Sequence, residues 1–378
     1  MTNDTESRLF TPLSLGRITL SHRVVMAPLT RYRCDSSNIP LDMVTEYYTQ
    51  RASTPGTLLI AEATQISLSA GGMTNGPGIW NDAQIAAWKK VTDAVHDKGS
   101  YIFCQLIALG RAARPAAPEA NGGFEVRAPS AIPLDGSQVA IPKELEEEEI
   151  WKIIADFGQA AKNAIEAGFD GVEAHGANGY LIDQFLQDVT NRRTDGWGGS
   201  IENRSRFSIE VTKSMVNAVG ADRVAFRLSP WNTWQGMGME QPVPQFSHLI
   251  QELQKMDLAY LHLVESRVIN NVDKEKEEGL DPFLEAWGTE KPVILAGGYN
   301  AHNTKEAVEV EYSKYNVAIA FGRHFLANPD LPLRLKERLD LNGYDRSTFY
   351  TPMLEAGYLD YPFSKQSSSL PPRYPQTP

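Results

Sequence analysis

The sequence predicts an α/β fold, a single closed (β/α)8 TIM barrel in which each of eight parallel strands leads into a helix. Two features indicate this fold. Short apolar and β-branched runs alternate with longer amphipathic segments along most of the chain, and the alternation provides eight strand candidates. The candidates are continuous apolar runs, which is typical of parallel strands covered on both faces. An open, doubly wound sheet is the alternative prediction.

The strand candidates lie, in chain order, at residues 23–28, 57–61, 101–106, 171–175, 224–228, 260–264, 293–296 and 317–321. Amphipathic helices are predicted after the first five strands, at residues 42–53, 82–98, 147–167, 201–219 and 244–255.

The length of 378 residues fits one such barrel or two smaller domains, and 42% hydrophobic residues can bury a large core. We assign residues 1–363 to the barrel. Residues 364–378 are rich in Ser and Pro and are expected to form a poorly ordered tail.

Two internal stretches interrupt the alternation. Residues 110–143, rich in Ala, Pro and Gly, form a long excursion after the third strand, and we expect a lid or small hairpin on the active face. The acidic run 144–149 is interpreted as the solvated first turn of the next helix, where carboxylates favour the positive end of the helix dipole.

Charge and cysteine content argue against several classes of protein. A formal net charge of -11 disfavours a nucleic-acid partner, since phosphate backbones require clustered Lys and Arg. The two cysteines, Cys34 and Cys104, form no CxxC motif, so there is no framework for zinc or an iron–sulfur cluster. The polar start lacks a secretory signal, and no apolar run reaches the roughly 18 residues of a membrane span. We therefore expect a cytoplasmic protein with no membrane partner.

Candidate site residues follow the predicted strands, because the working residues of such barrels lie at the carboxyl ends of the strands. In chain order these are Pro28, Thr30, Glu62, Ala63, Gln105, His175, Asn178, Arg227, Gly297, Gly298, Gly322 and Arg323.

The glycines after the last two strands indicate a phosphate site. Loops after strands seven and eight commonly hold phosphate in these barrels, and Arg323 can form a charge-assisted fork there. The alternative is that the glycines only make tight turns.

Arg227 interrupts an otherwise apolar strand, where a cation is costly unless it is paired. It either forms an ordinary buried salt bridge or faces an electron-rich ring that gathers negative charge, as a flavin does on reduction.

His175, Asn178 and Tyr180 form a compact polar set in a turn. Two neutral donors aimed at one carbonyl oxygen would polarise it, and the Tyr180 phenol could deliver a proton to the same substrate. A purely structural histidine is the alternative for His175. A metal site is disfavoured, because His262 and His302 show no ligand spacing with acidic partners.

Several motifs together resemble the old yellow enzyme family, in the branch with plant oxophytodienoate reductases and fungal ergot-alkaloid enzymes. The resemblance covers nearly the whole chain, from about residue 9 to residue 363. Its motifs are residues 26–31 (MAPLTR), 175–207, 296–299 (AGGY), 321–323 (FGR) and 357–362 (GYLDYP).

The resemblance implies an FMN-bearing barrel that reduces activated C=C bonds with NADPH, or with NADH. Hydride would pass from flavin N5 to an enone or enal, His175 and Asn178 would bind its carbonyl oxygen, and Tyr180 would be the proton donor. The implied cofactor contacts are Pro28, Thr30, Ala63, Gln105, His175, Arg227, Gly297, Gly298, Gly322 and Arg323. Ile107, Phe349 and Tyr350 are the implied pocket walls.

Two positions refine this expectation. Ile107 stands where many members of the family carry Trp, which predicts a pocket of different shape. Tyr180 is retained, whereas some alkaloid-pathway relatives with Phe act as isomerases. The sequence thus favours a net reductase over an isomerase or a catalytically silent flavin-binding protein, and it is compatible with a monomer or a homodimer.

Overall fold

The computed structural model describes residues 7–114, 125–134, 141–269, 272–273, 275 and 278–369. It confirms the closed parallel barrel, because the eighth strand pairs with the first and each strand pairs with its neighbours. The doubly wound alternative is thereby excluded. The barrel strands are β1 (Val24–Met26), β2 (Leu58–Ile60), β3 (Tyr101–Ile107), β4 (Gly171–Gly176), β5 (Val224–Leu228), β6 (Tyr260–Val264), β7 (Pro292–Ala296) and β8 (Asn316–Phe321).

Helices follow the strands around the outside of the barrel. The six longest α-helices are α1 (Asp42–Arg51), α2 (Asp82–His96), α3 (Glu147–Glu166), α4 (Ile201–Val219), α5 (Pro242–Gln254) and α6 (Asp281–Trp287). Shorter helical segments are Leu181–Leu186, Thr304–Glu306 continuing into the π-helical Ala307–Glu311, Arg323–Ala327, Leu331–Lys336 and Lys365–Ser369. Single 3₁₀ turns lie at Arg8–Phe10, Gly110–Ala112, Ala221–Arg223, Trp234–Gly236 and Arg346–Thr348. No helix among the described residues is long and apolar enough to cross a membrane.

Helix α3 shows how local sequence sets these boundaries. The Glu149 carboxylate accepts a hydrogen bond from the Glu146 backbone N–H at 2.9 Å, which closes the first turn in a capping box. Ile150, Ile154 and Phe157 then recur at helical spacing and are buried. The acidic run therefore begins the helix, as predicted, although Glu144 belongs to a short strand instead.

An antiparallel hairpin that the sequence analysis missed closes the amino-terminal end of the barrel. Its strands, Leu13–Leu15 and Ile18–Leu20, turn at Gly16, whose φ is +54°. Its four buried side chains pack into the barrel interior beside Leu58, Phe103 and Ile294. Each strand has only three residues, too few for a clear alternating pattern in the sequence.

The interior changes character toward the carboxyl ends of the strands. Side chains of one strand alternate between its two faces, so Gln105 shares the inner face with Phe103, and Arg227 shares it with Ala225. Glu173 and His262, one on each of β4 and β6, also lie fully buried at this level. The barrel is thus apolar near the hairpin and polar near the opposite end.

The excursion after β3 is described in part. Arg127–Ala128 pairs with Lys143–Glu144 in parallel, so this pair is not the hairpin that the sequence suggested. Residues 115–124 and 135–140 lie outside the described residues, as do residues 370–378 of the expected tail. Three further short strands are Thr64–Gln65, Val268–Ile269 and Val272–Asp273.

The hairpin should contribute strongly to stability. Leu15 is fully buried, so Leu15→Ala removes packed methyl groups and leaves a cavity, which should lower the free energy of unfolding by about 2–5 kcal/mol. Ser14 is exposed on the same strand, and Ser14→Ala should change it by under about 0.5 kcal/mol. Urea denaturation of both variants measures their free energies of unfolding. Equal values would show that packing of the hairpin does not stabilise the barrel.

Candidate active site

One cavity of about 470 Å³ lies at the carboxyl ends of the barrel strands and collects nearly all of the predicted site residues. Those that line it are Pro28, Thr30, Ala63, Gln105, His175, Asn178, Tyr180, Arg227, Gly297, Gly298, Gly322, Arg323, Phe349 and Tyr350. Ile107 does not line it. That side chain is buried behind the wall, in a cluster with Ala63 against which Met73 and Tyr180 pack.

His175 occupies the end of β4 and is neutral. Burial lowers the pKa of its imidazole well below the ordinary value, and the charge of Arg227 lowers it further. Its Nδ1 has no hydrogen-bond partner among the described residues. Since Nδ1 is buried and the residue lines the cavity, the other ring nitrogen, Nε2, is the atom that can reach a ligand oxygen, and the neutral ring carries no full charge into the site.

Asn178 sits in a sharply bent turn, with φ of +61° there and +79° at Gly179. The surroundings hold this bend. The Ser229 hydroxyl accepts from the Asn178 N–H at 2.8 Å, and the Gln235 amide donates to the Asn178 carbonyl at 2.7 Å. Asp183 accepts from the Gly179 N–H at 2.8 Å. A left-handed non-glycine residue with so many supports is typical of a functional turn.

Tyr180 follows this turn, with its ring packed edgewise against His175 at 5.0 Å between centroids. Trp234 flanks it on another side at 6.4 Å. Burial, together with Tyr32 and Tyr350, raises the pKa of the Tyr180 phenol. The hydroxyl therefore stays protonated over the working pH range and is available as a proton donor.

A buried polar network forms the floor of the cavity. The Gln105 amide donates to Glu173 Oε1 at 2.7 Å, and His262 Nδ1 lies 2.9 Å from Glu173 Oε2. Burial alone would raise the pKa of Glu173, but His262, Arg227 and Gln105 together hold it below the ordinary value. Burial also lowers the pKa of His262, so we describe an anionic Glu173 that accepts from the Nδ1–H of a neutral His262.

Arg227 is the cation of this floor. Its side chain is buried, and its Nε has no hydrogen-bond partner among the described residues. Its pKa is lowered chiefly by burial, and Glu173 opposes that shift. An ordinary salt bridge would bind the guanidinium directly, whereas here Glu173 is bonded to Gln105 and His262, and Arg227 lines the cavity. This arrangement fits an electron-rich ligand ring.

The glycine loops after β7 and β8 also line the cavity, and they allow a ligand to come close to the backbone. Gly298 has φ of +67°, and a Cβ there would lie 2.8 Å from the Cβ of Arg267. Gly322 precedes Arg323, whose guanidinium donates to the Tyr344 hydroxyl at 3.3 Å. Backbone N–H groups in such tight loops, with one Arg, fit a single phosphate group. No cluster of three or more His, Cys, Asp or Glu that could hold a metal occurs in the described parts of the chain.

Two aromatic side chains of the cavity rim, Tyr32 and Trp234, were not among the predicted site residues. Tyr32 has φ of +58° and lies with its ring 5.9 Å from that of Tyr350, and Trp234 comes from the loop after β5. Met73 also lines the cavity. Position in the chain offers a signal for Tyr32, which comes two residues after Thr30, but loop conformation decides where Met73 and Trp234 lie.

Two buried arginines fix the carboxyl-terminal wall. Arg31 donates from Nε to the Phe349 carbonyl at 3.0 Å and from Nη2 to the Gly357 carbonyl at 2.8 Å. Arg33 donates from Nε to the Leu354 carbonyl at 2.9 Å. These bonds hold the segment around Phe349, far along the chain, against the loop that follows β1.

Comparison with known proteins gives consistent matches over most of the chain. Residues 8–342 match the model of the NADH:flavin oxidoreductase / NADH oxidase family. Chanoclavine-I aldehyde reductase fgaOx3 of Penicillium roqueforti is 54% identical, over 95% of this chain and 97% of its own. A probable inactive reductase, easA of Epichloe festucae var. lolii, is 52% identical over 95% and 96%. The crystal structure of Old Yellow Enzyme from Pichia sp. AKU4542 superposes with a TM-score of 0.88 at 40% identity, over 95% and 94%.

Asp183 should be a pH-dependent support of the turn at Asn178. Its two oxygens accept from the Gly179 N–H and the Gln187 amide, and in the protonated acid the hydroxyl oxygen keeps lone pairs for one of these bonds, whereas the amide nitrogen of Asn cannot accept. Asp183→Asn should therefore lower the free energy of unfolding by about 1–3 kcal/mol at acidic pH. Burial raises the pKa of Asp183 from 3.8 to about 7, so folding takes up a proton between these values and wild-type stability from this group falls as pH rises.

The difference between wild type and Asp183→Asn should accordingly shrink from pH 5 to pH 8, since the variant has no group to titrate. Urea denaturation at four pH values measures it. Asp93→Asn, on the exposed face of α2, is the control and should shift stability by under about 0.5 kcal/mol. If the stability advantage of wild type over Asp183→Asn increased with pH, the raised pKa of Asp183 would be contradicted.

Proposed function

Because the chain belongs to the NADH:flavin oxidoreductase / NADH oxidase family, among the old yellow enzymes, we propose that it is an FMN-dependent ene-reductase. It would use NADPH or NADH to reduce the C=C bond of an α,β-unsaturated carbonyl compound. The observation that carries this proposal is that the His175 and Tyr180 rings pack 5.0 Å apart and line one cavity with Asn178 and Arg227.

The residues present fit FMN. Thr30, Ala63, Gln105 and Arg227 would contact the polar edge of the ring, and Gly298, Gly322 and Arg323 would hold the phosphate. One phosphate site and no GxGxxG fingerprint favour FMN over FAD. When bound, FMN supplies the redox chemistry, taking hydride from the reduced nicotinamide and giving it to the substrate.

The protein's own contribution is polarisation and proton delivery. His175 and Asn178 would bind the substrate carbonyl oxygen, so that negative charge developing on it is stabilised by two donors. Neutral His175 suits this role, because it binds the oxygen without first losing or gaining a proton. Tyr180 would then protonate the α-carbon after hydride reaches the β-carbon.

We propose a ring-bearing α,β-unsaturated aldehyde as the substrate class. Tyr32, Trp234, Phe349 and Tyr350 give the cavity an aromatic rim, and such rims favour large apolar ligands. The 54% identical relative is named an aldehyde reductase, which supports an aldehyde over a ketone.

Two alternatives belong to other classes. A double-bond isomerase on this scaffold is disfavoured by the retained Tyr180 phenol. A silent flavin-binding protein is suggested by the relative named probable inactive, but here His175, Asn178 and Tyr180 are all present and face one cavity. Anaerobic mixing of the flavoprotein with NADPH and with NADH, followed by a panel of enals and enones, separates net reduction from both alternatives.

Replacement of Tyr180 should slow the half-reaction with the substrate and not the half-reaction with NADPH. In Tyr180→Phe, reduction of the bound flavin by NADPH should persist, while reduction of the enal should fall about 10²–10⁴-fold, the usual value of general acid catalysis. Stopped-flow absorbance follows each half-reaction separately. Tyr101→Phe, at the amino-terminal end of the same barrel, is the control. Equal slowing of both half-reactions in Tyr180→Phe would refute the assignment of Tyr180.

The phosphate assignment predicts the identity and retention of the cofactor. Heat-released flavin should run as FMN on chromatography, and Arg323→Ala should weaken FMN binding about tenfold or more, because a charge-assisted contact is lost. Fluorescence titration of the apoprotein measures this. Arg17→Ala, an exposed arginine paired with Asp222, should bind FMN as wild type does. FAD as the main species, or unchanged binding in Arg323→Ala, would contradict the assignment.

A further inference from the structure

Glu173 lies inside the barrel, where the proposed mechanism gives it no task. Its side chain is completely buried in the middle of β4. It faces the same interior as Gln105 on β3, Arg227 on β5 and His262 on β6. An anion in such a place is costly unless specific partners stabilise it, so its presence calls for an explanation beyond packing.

The hydrogen bond to Glu173 fixes the orientation of the Gln105 side-chain amide. A carboxylate only accepts hydrogen bonds, so the amide nitrogen of Gln105 must point toward Glu173, at 2.7 Å. The amide oxygen of Gln105 is therefore the atom left for the cavity. Without an obligate acceptor beneath it, the amide could adopt either orientation.

Glu173 is also the counter-charge of Arg227. The groups that interact with the charge of Arg227 include Glu173, Tyr260, Tyr180, His175 and His262, and of these Glu173 is the carboxylate. Both phenols are buried groups with raised pKa, so they remain neutral. A ligand bound over this floor thus meets a compensated pair of charges rather than an isolated cation.

We propose that Glu173 is a positioning residue that sets the reduction potential of the cofactor by compensating the charge of Arg227 and orienting the Gln105 amide. This inference rests on the proposed FMN site. A flavin gains negative charge when it is reduced, so a bare Arg227 would favour the reduced form, and the Glu173 anion opposes this effect. The potential of the wild-type protein is therefore lower than Arg227 alone would give.

Glu173→Gln tests the charge with little change of shape. The new amide oxygen can still accept from Gln105. Its amide nitrogen can donate to His262 Nδ1, provided that the His262 proton moves to Nε2, which has no partner among the described residues. The variant keeps the volume and both hydrogen bonds and removes only the charge.

The midpoint potential of the bound flavin is measured anaerobically against a reference dye, in wild type, Glu173→Gln and Glu173→Asp. Glu173→Gln should raise the equilibrium ratio of reduced to oxidised flavin at least tenfold at a fixed potential, which is about 30 mV for a two-electron couple. Glu173→Asp keeps the charge and should stay closer to wild type. Asp330→Asn, which removes a buried carboxylate paired with Arg334 away from the cavity, should leave the potential unchanged.

An unchanged or more negative potential in Glu173→Gln, with FMN bound, would overturn the inference. Should Glu173→Gln not fold as a flavoprotein, the same comparison is made with Glu173→Met, which also removes the charge and leaves Arg227 in place. Removing the anion should raise the potential in that variant as well, and no rise would likewise overturn the inference. A wild-type protein that binds no flavin would instead refute the proposed function, so the two failures are distinguishable.

Discussion

The two-residue alternation of side chains along eight closed strands is the constraint on which the rest of the structure depends. In a closed barrel every second residue must enter a small interior of fixed size. Phe103 and Ala225 fill that interior near the hairpin, and two positions later on the same strands Gln105 and Arg227 form the floor of the cavity. The strands that form the core therefore also direct the polar side chains into the cavity. A shift of the strand register by one residue would remove the apolar side chains from the interior and the polar side chains from the cavity.

Burial then determines the charge state of the site. Exclusion of water favours neutral forms, which keeps His175 unprotonated and Tyr180 protonated. Two of the charges that remain, Arg227 and Glu173, lie on neighbouring strands at the base of the cavity. The site can thus polarise a carbonyl with neutral donors while its fixed charges act on whatever lies over the floor.

The sequence predicted what is local and periodic. The barrel strands were placed within two residues because apolar runs end where strands end, and the strand-end motif around His175 lies on the cavity as expected. Features that depend on contacts distant in sequence were not predictable. Glu173 and His262 interrupt apolar runs as Arg227 does, but their pairing with each other joins two strands far apart in the chain. Ile107 packs in a buried cluster with Ala63 and does not line the cavity. Tyr32 closely follows a strand-end motif, but its left-handed backbone conformation has no signal in the residue pattern.

The bonds from Arg31 and Arg33 to the carbonyls near Phe349 have a consequence for biogenesis. They join positions 318 apart in the chain for the Arg31 to Phe349 bond, so the contact cannot form until the ribosome has released almost the whole barrel. A nascent chain whose eight strands have closed into a barrel still lacks the carboxyl-terminal wall of the cavity. Chains cut short before residue 349 would therefore keep the strand-end loops of the cavity but lack the wall that Phe349 and Tyr350 form.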